Sequence, residues 1–313
     1  MDVLSDVIAV MRTGRPVVAR VAWEEPWAQR FAPVPGASGF QVVLAGTCWL
    51  VRDHADPVEL RAGDVVFLPD GRGHVLADSP TTPVVGEACD PDDPDFVADH
   101  PVPAHPTAVT LCGAYELEHG VHPLLRDLPD TVLVSGPELH AAVTLLAGEL
   151  EHPRLGSDAL VPALLDTLLL YLLRTWFTGA DRTTGWAAAL NDPVTATALH
   201  HIHRDPGHPW TVAELAAAAG LSRAPFAKRF TALVGQPPLT YLTWWRMTTA
   251  ARLLRDTDAP LARIAGQVGY TSEFAFAAAF KRAHGTPPGR YRRERATSRR
   301  SGRRTRRGGK MTP

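Results

Sequence analysis

The chain has 313 residues, 45% of them hydrophobic and 21% charged; this is enough for about two domains with separate cores and excludes a low-complexity chain. Its net charge of −1 conceals a strong asymmetry: residues 1–190 carry 11 Lys/Arg against 26 Asp/Glu, residues 191–289 carry 10 against 6, and residues 290–313 carry 11 against 1. An acidic N-terminal part joined to a basic C-terminal part points to a polyanionic partner at the C-terminal end.

The opening MDVLSDVIAV has acids at Asp2 and Asp6 and no basic n-region, so it is not a secretory signal. Leu4, Val7, Ile8 and Met11 fall at i, i+3, i+4 and i+7 and predict a helix. From about residue 21 to 135 come short β-type runs (FQVVLAG, TCWLV, VVFLP, AVTLC, TVLVS) separated by Gly, Pro and Asp clusters, as in a small all-β barrel or sandwich. The Pro- and Asp-rich residues 81–107 predict a long loop, and helices follow at about 137–151 and 158–177. The most apolar stretch, residues 160–177, contains Asp166 and Arg174 and is shorter than the roughly 20 residues of a spanning helix. It predicts an interface helix, with no membrane association. Cys48, Cys89 and Cys112 have no CxxC spacing and form neither a disulfide framework nor a zinc motif; a cytoplasmic location is expected.

After a polar connector, residues 178–185, the text begins to repeat itself. GLSRAPFAKRFTALVGQPP (220–238) and GYTSEFAFAAAFKRAHGTPP (269–288) align Ser222 with Ser272, Phe226 with Phe276, Phe230 with Phe280 and Gly235 with Gly285. In the first copy Thr211 and Glu214 have capping-box spacing, Gly220 supplies a turn, and Ser222 caps a second helix with core positions Phe226, Phe230 and Leu233. The second copy repeats this with Ile264, Ala265, Gly269 and Ser272. A short helix, a glycine turn and a capped second helix is the pattern of a helix-turn-helix. Residues 239–255 predict one continuous helix of about 25 Å between the copies, able to hold two readers about one DNA turn apart. A helical bundle with a duplicated packing unit is the alternative.

Residues about 195–292, with both units and the closing Gly285–Arg292 segment, resemble the C-terminal DNA-binding domain of AraC/XylS-type transcriptional regulators. The resemblance implies that the second helix of each unit enters the major groove of double-stranded DNA. By position, the first reader then exposes Ser222, Arg223, Ala224, Ala227, Lys228 and Arg229, and the second Ser272, Glu273, Phe274, Ala277 and Ala278. The second departs from the family pattern: it has no Arg, Lys, Asn or Gln for a bidentate base contact, and its alanines touch a thymine methyl at most. Base readout is therefore expected from Arg223 and Lys228, with the second unit holding phosphates through Lys281, Arg282 and its helix start. The tail Arg292–Lys310 is either a sequence-independent phosphate binder or a solubilising terminus.

GDVVFLPDGRGHVLAD (63–78) resembles the second motif of cupin barrels, with Asp78 where that motif has Asn, and Phe40–Leu76 resembles a cupin core. The metal-binding first motif is missing, since RFAPVPGASGFQ has neither His nor Glu, and a lone His74 does not make a metal site. No metal or other cofactor is expected. The resemblance implies a small effector in the barrel, with Trp23, Trp27, Phe40, Gln41, Trp49, Phe67 and His74 as its lining.

The expected fold is α+β with two domains: an N-terminal cupin-like β-barrel with a helical pair, and a C-terminal all-α domain with two helix-turn-helix units. The expected boundaries are 1–135 for the sensor, 136–178 for dimerisation helices, 179–192 for a linker, 193–292 for the DNA-binding domain and 293–313 for a disordered basic tail. The expected function is sequence-specific transcriptional regulation by a homodimer, without catalysis, with DNA, an effector and RNA polymerase as partners. A cupin-type metal-dependent enzyme with an appended DNA-binding domain, and a thiol sensor using Cys48 and Cys112, are the alternatives. A DNA-repair protein is discounted because no cysteine lies in a helix-capped, basic setting.

Overall fold

The computed structural model describes residues 2–11, 16–34, 36–89, 102–116, 123–179 and 184–294. It divides into two compact units, Arg12–Arg182 in one and Met1–Met11 with Thr183–Pro313 in the other. The disordered tail expected after residue 292 lies almost wholly outside the described residues, as does the middle of the expected 81–107 loop.

The first unit is built on two antiparallel sheets. One has the order β1 (Val17–Trp23), β8 (Ala108–Glu116), β3 (Ala37–Ala45), β6 (Val65–Leu68), β9 (Val132–Val134). The other has the order β2 (Ala28–Phe31), β7 (His74–Ala77), β4 (Thr47–Val51), β5 (Val58–Arg61). These sheets do not close on one another, so the cupin-like core is an open two-sheet form of the expected barrel. Val21, Trp23, Val43, Val66 and Cys112 from the first sheet meet Phe31, Cys48, Leu50, Leu60 and Leu76 from the second in one apolar cluster. Gly46 makes the one-residue turn from β3 to β4 at φ +74°, and a Cβ there would lie 2.1 Å from the Thr107 carbonyl oxygen, so the turn admits glycine alone.

Residues facing the other way on the five-stranded sheet meet a helical layer: α2 (Pro123–Arg126) is short, while α3 (Pro137–Glu151) and α4 (Ser157–Thr178) form an antiparallel pair. The Tyr115 hydroxyl donates to the Leu165 carbonyl at 2.6 Å, and Arg20 reaches Glu151 at 3.3 Å. At 22 residues α4 is longer than expected and long and apolar enough to cross a membrane, so the length argument above does not hold. What places it here is packing, because Leu165, Leu168, Leu169, Leu172, Leu173 and Phe177 are buried inside this unit.

The second unit is entirely helical: α1 (Val3–Met11), α5 (Gly185–Asn191), α6 (Pro193–Arg204), α7 (Val212–Ala218), α8 (Arg223–Val234), α9 (Pro238–Asp256), α10 (Leu261–Gln267), α11 (Glu273–His284) and a last helical stretch over 288–294. Two placements differ from the sequence expectation. The segment read as linker contains α5, whose Trp186 is buried against Tyr241 with ring centroids 5.7 Å apart. The N-terminal helix, assigned above to the sensor, packs on α6 and α9 instead. There Val3, Val7 and Ile8 are buried, and the Asp6 carboxylate lies 3.5 Å from Nδ1 of His203. His203 stacks on Trp245 with centroids 3.7 Å apart, and its Nε2 lies 2.7 Å from the Tyr241 hydroxyl.

Val7→Ala therefore acts at a distance in sequence. It is expected to destabilise the helical unit by about 2 kcal/mol. Hydrogen exchange should rise in α6 and α9 and stay unchanged in β3 and β8.

Candidate nucleic-acid interface and effector cleft

Each helix-turn-helix is held by local chemistry that the sequence prescribes. Thr211 and Glu214 form the full capping box: the Glu214 amide donates to Thr211 Oγ1 at 3.2 Å, and the Thr211 amide donates to Glu214 Oε2 at 2.8 Å. Gly220 and Gly269 turn between the helices at φ 72° and 80°. Gly269 has a second reason to be glycine, since a Cβ would lie 2.6 Å from the Arg246 guanidinium. That guanidinium is engaged, donating to the carbonyls of Pro206 at 2.7 Å and His208 at 2.8 Å. Ser272 caps α11 by accepting from the Ala275 amide at 3.4 Å. Ser222 occupies the matching place before α8 but makes no side-chain cap, contrary to the sequence expectation. Gly235 and Gly285 close the two second helices in the left-handed region.

Phe226 and Phe230 of α8 are buried with Leu215, Ala216 and Val234, while Leu233 is half-buried at the margin. The second core joins Phe276 and Phe280 to Ile264, Val268, Met247, Leu254 and Tyr291. With the phenylalanines pointing inward, Ser222, Arg223, Ala224, Lys228 and Arg229 are exposed, and Ala227 is half-buried between them. On α11, Ser272, Glu273, Phe274, Lys281 and Arg282 are exposed, and Ala277 and Ala278 are half-buried. The six positions named for the first reader do lie together, but they are not equivalent. Arg229 is paired with Asp192, whose carboxylate also caps α6 by accepting from the Thr195 amide. The Arg229 and Thr195 bonds hold Asp192 below its usual carboxylate value against the opposing effect of burial.

In the sandwich unit, strand register sorts the residues expected to line an effector pocket onto different faces. Phe40 pairs with Phe67 across β3 and β6, and Phe40 packs on Tyr115 with centroids 5.3 Å apart. Both therefore face the α3–α4 layer. Trp49 alternates with the buried Cys48 and Leu50 and faces away from the core. Trp23, Gln41 and His74 are the ones that face inward. Gln41 Nε2 lies 2.8 Å from His74 Nε2, and the His74 ring stacks on Phe31 at 4.7 Å. Gln41 Oε1 is buried with no hydrogen-bond partner. Trp23 donates through Nε1 to Thr110 Oγ1 at 2.8 Å and stacks on Trp27 at 4.5 Å. This indole pair borders a cleft of about 320 Å³ lined also by Pro26, Gln29, Pro83 and Val85. Those four were not singled out from sequence; the Trp-x3-Trp spacing was the available signal.

Among the described residues, no three His, Cys, Asp or Glu side chains gather in a way that holds a metal ion. All three cysteines are buried, and burial pushes the Cys48 and Cys112 thiols up to about 12.

Comparison with known proteins extends these observations. The model of a family described as Cupin matches residues 2–178, and one described as Helix-turn-helix domain matches residues 215–294. The chain is 39% identical over 302 residues to an AraC-like transcription regulator of Streptomyces lividans, covering 94% of this chain and 98% of that protein. A protein of the same description from Streptomyces antibioticus is also 39% identical, over 94% of this chain and 99% of its own length. The RCS-specific HTH-type transcriptional activator RclR of Escherichia coli is 30% identical over 74% of this chain and 76% of its own.

His74 offers a check on the inward-facing pair. Burial, and then the charge of Arg52, push it down from 6.5 to about 4. It stays neutral when folded and is charged first when unfolded, so its contribution is complete above about pH 6.5 and is lost as pH falls towards 4. Urea titrations should show about 3 kcal/mol of stability lost through this window, and His74→Gln should remove that part of the slope.

Proposed function

Because this chain belongs to the family of AraC-like transcription regulators, we propose that α8 and α11 lie in successive stretches of the DNA major groove and that α8 performs the polar base readout. The observation that carries this is the repeated presentation of a second helix on each buried phenylalanine pair, with Arg223 and Lys228 exposed on the first. Either side chain is suited to guanine O6 and N7. Arg229, tied to Asp192, positions α8 and contributes less. Lys281 and Arg282 face phosphates, helped by the amides at the start of α11.

The sandwich unit acts as sensor. A small effector enters at the Trp23–Trp27 cleft, and the unpaired Gln41 Oε1 supports a polar group on it that reaches the interior. Effector binding shifts the population of DNA-binding arrangements. Exposed Leu145 on α3, Leu160 on α4 and Leu155 between them support a homodimer built on that hairpin. A cytoplasmic location and engagement of RNA polymerase follow from the role rather than from any residue.

A regulator accounts for the chain better than either alternative. A metal-dependent cupin enzyme needs a ligand cluster that the described residues do not assemble. A thiol sensor needs accessible thiolate, and buried thiols near 12 supply almost none at neutral pH.

Genomic fragments captured by the full-length protein and sequenced test the proposal. An enriched motif is expected. Lys228→Ala and Arg223→Ala should each weaken binding to it by about 1–3 kcal/mol and relax it at a few base pairs. Uniform recovery without a motif would overturn sequence-specific regulation.

A further inference from the structure

The exposed start of α11 carries a large apolar side chain, Phe274, beside Ser272 and Glu273. Phe274 is 84% exposed, whereas Phe276 and Phe280 on the same helix are 0% exposed. A single exposed aromatic is unremarkable on a protein surface; its position here is what matters. Phe274 is the second residue of a helix whose preceding serine caps it, on the face opposite the core. The side chains around it are short: Ala275 is exposed and Ala277 and Ala278 are half-buried. The ring itself is largely open to solvent, and the small residues that follow it allow the helix backbone to approach a partner closely. Lys281 and Arg282, two turns further on, are exposed cations suited to the phosphates that flank a groove.

The major-groove edge of DNA has one apolar feature, the 5-methyl group of thymine. Cytosine carries only a hydrogen at that position, and the purine edges are dominated by donors and acceptors. We propose that Phe274 reads a thymine methyl in the half-site bound by α11, so that the second unit is a sequence reader by apolar contact and not a phosphate clamp alone. The operator is then chemically bipartite: guanine edges are recognised by Arg223 and Lys228, and thymine methyls by Phe274. This assignment rests on the DNA-binding reading above.

The test uses full-length protein and the operator recovered from genomic capture. Thymines of the α11 half-site are replaced one at a time by deoxyuridine, which removes the methyl and leaves base pairing intact. The expected result is about a four-fold loss of affinity at one or two positions, the worth of one buried methyl. Phe274→Ala should show a similar loss on the unmodified duplex and no further loss with deoxyuridine, as coupled groups do in a double-mutant cycle. Phe274→Leu should retain part of the methyl effect. Because Phe274 touches no core, thermal unfolding of these variants should match the parent. The assignment is overturned if no deoxyuridine substitution alters affinity, or if the full deoxyuridine loss persists in Phe274→Ala. If instead the parent protein does not prefer the unmodified operator over a shuffled duplex, sequence-specific binding itself fails.

Discussion

The helical unit depends on one stacked histidine. His203 lies flat on Trp245, its Nε2 meets the Tyr241 hydroxyl, and its Nδ1 faces the Asp6 carboxylate. With the ring proton on Nδ1, Nε2 accepts from the tyrosine. Burial holds His203 below its ordinary value even with a carboxylate beside it, so the ring stays neutral and the stack stays apolar. Three stretches remote in sequence, α1, α6 and α9, converge on this ring. Through α9 the effect spreads to both readers. Tyr241, Leu242 and Trp245 are buried near its start, while Met247, Ala250, Ala251 and Leu254 enter the core of the second helix-turn-helix. A helix that serves two cores sets the spacing of the faces those cores support, and its own position is set at His203.

Much of this unit is legible in the sequence because its signals are local. The serine, phenylalanine and glycine positions recurring between 220–238 and 269–288 encode caps, core faces and stops, each acting within a few residues. The sandwich is less legible for a physical reason. Its five-stranded sheet is covered on both faces, by the other sheet and by α3–α4, so its strands lack the alternation that separates inside from outside. Phe40 and Gln41 are adjacent and both buried, yet they belong to different layers, and hydrophobicity alone does not tell which layer each faces. The partner of α1 is illegible for a similar reason. An amphipathic helix announces that it buries a face but not against which surface, and the residues that receive it lie some two hundred positions away. Trp186 turns an apparent linker into packed helix by the same kind of distant contact.

The charge pattern also changes meaning once partners are known. Residues 191–289 are basic in composition, which fits a polyanion partner, but several of the arginines act within the protein. Arg246 is engaged by the carbonyls of Pro206 and His208, Arg255 donates to the Tyr291 hydroxyl at 3.1 Å, and Arg229 is paired with Asp192. The cationic face left for DNA is therefore smaller than a residue count implies, and it favours α8 over the start of α11.

The placement of α1 also bears on how the chain is made. The sandwich, Arg12–Arg182, is inserted into the helical unit between that unit's first helix and the remainder. A ribosome therefore delivers α1 first and its seat on α6 and α9 last, roughly 10–50 s later at ordinary elongation rates. Through that interval Val3, Val7 and Ile8 have no native surface to cover them. The inserted sandwich can complete its own core meanwhile, ahead of the helical unit that carries the two helix-turn-helix pairs. A nascent chain halted short of α9 would hold a finished sandwich and an amphipathic helix open to chaperones.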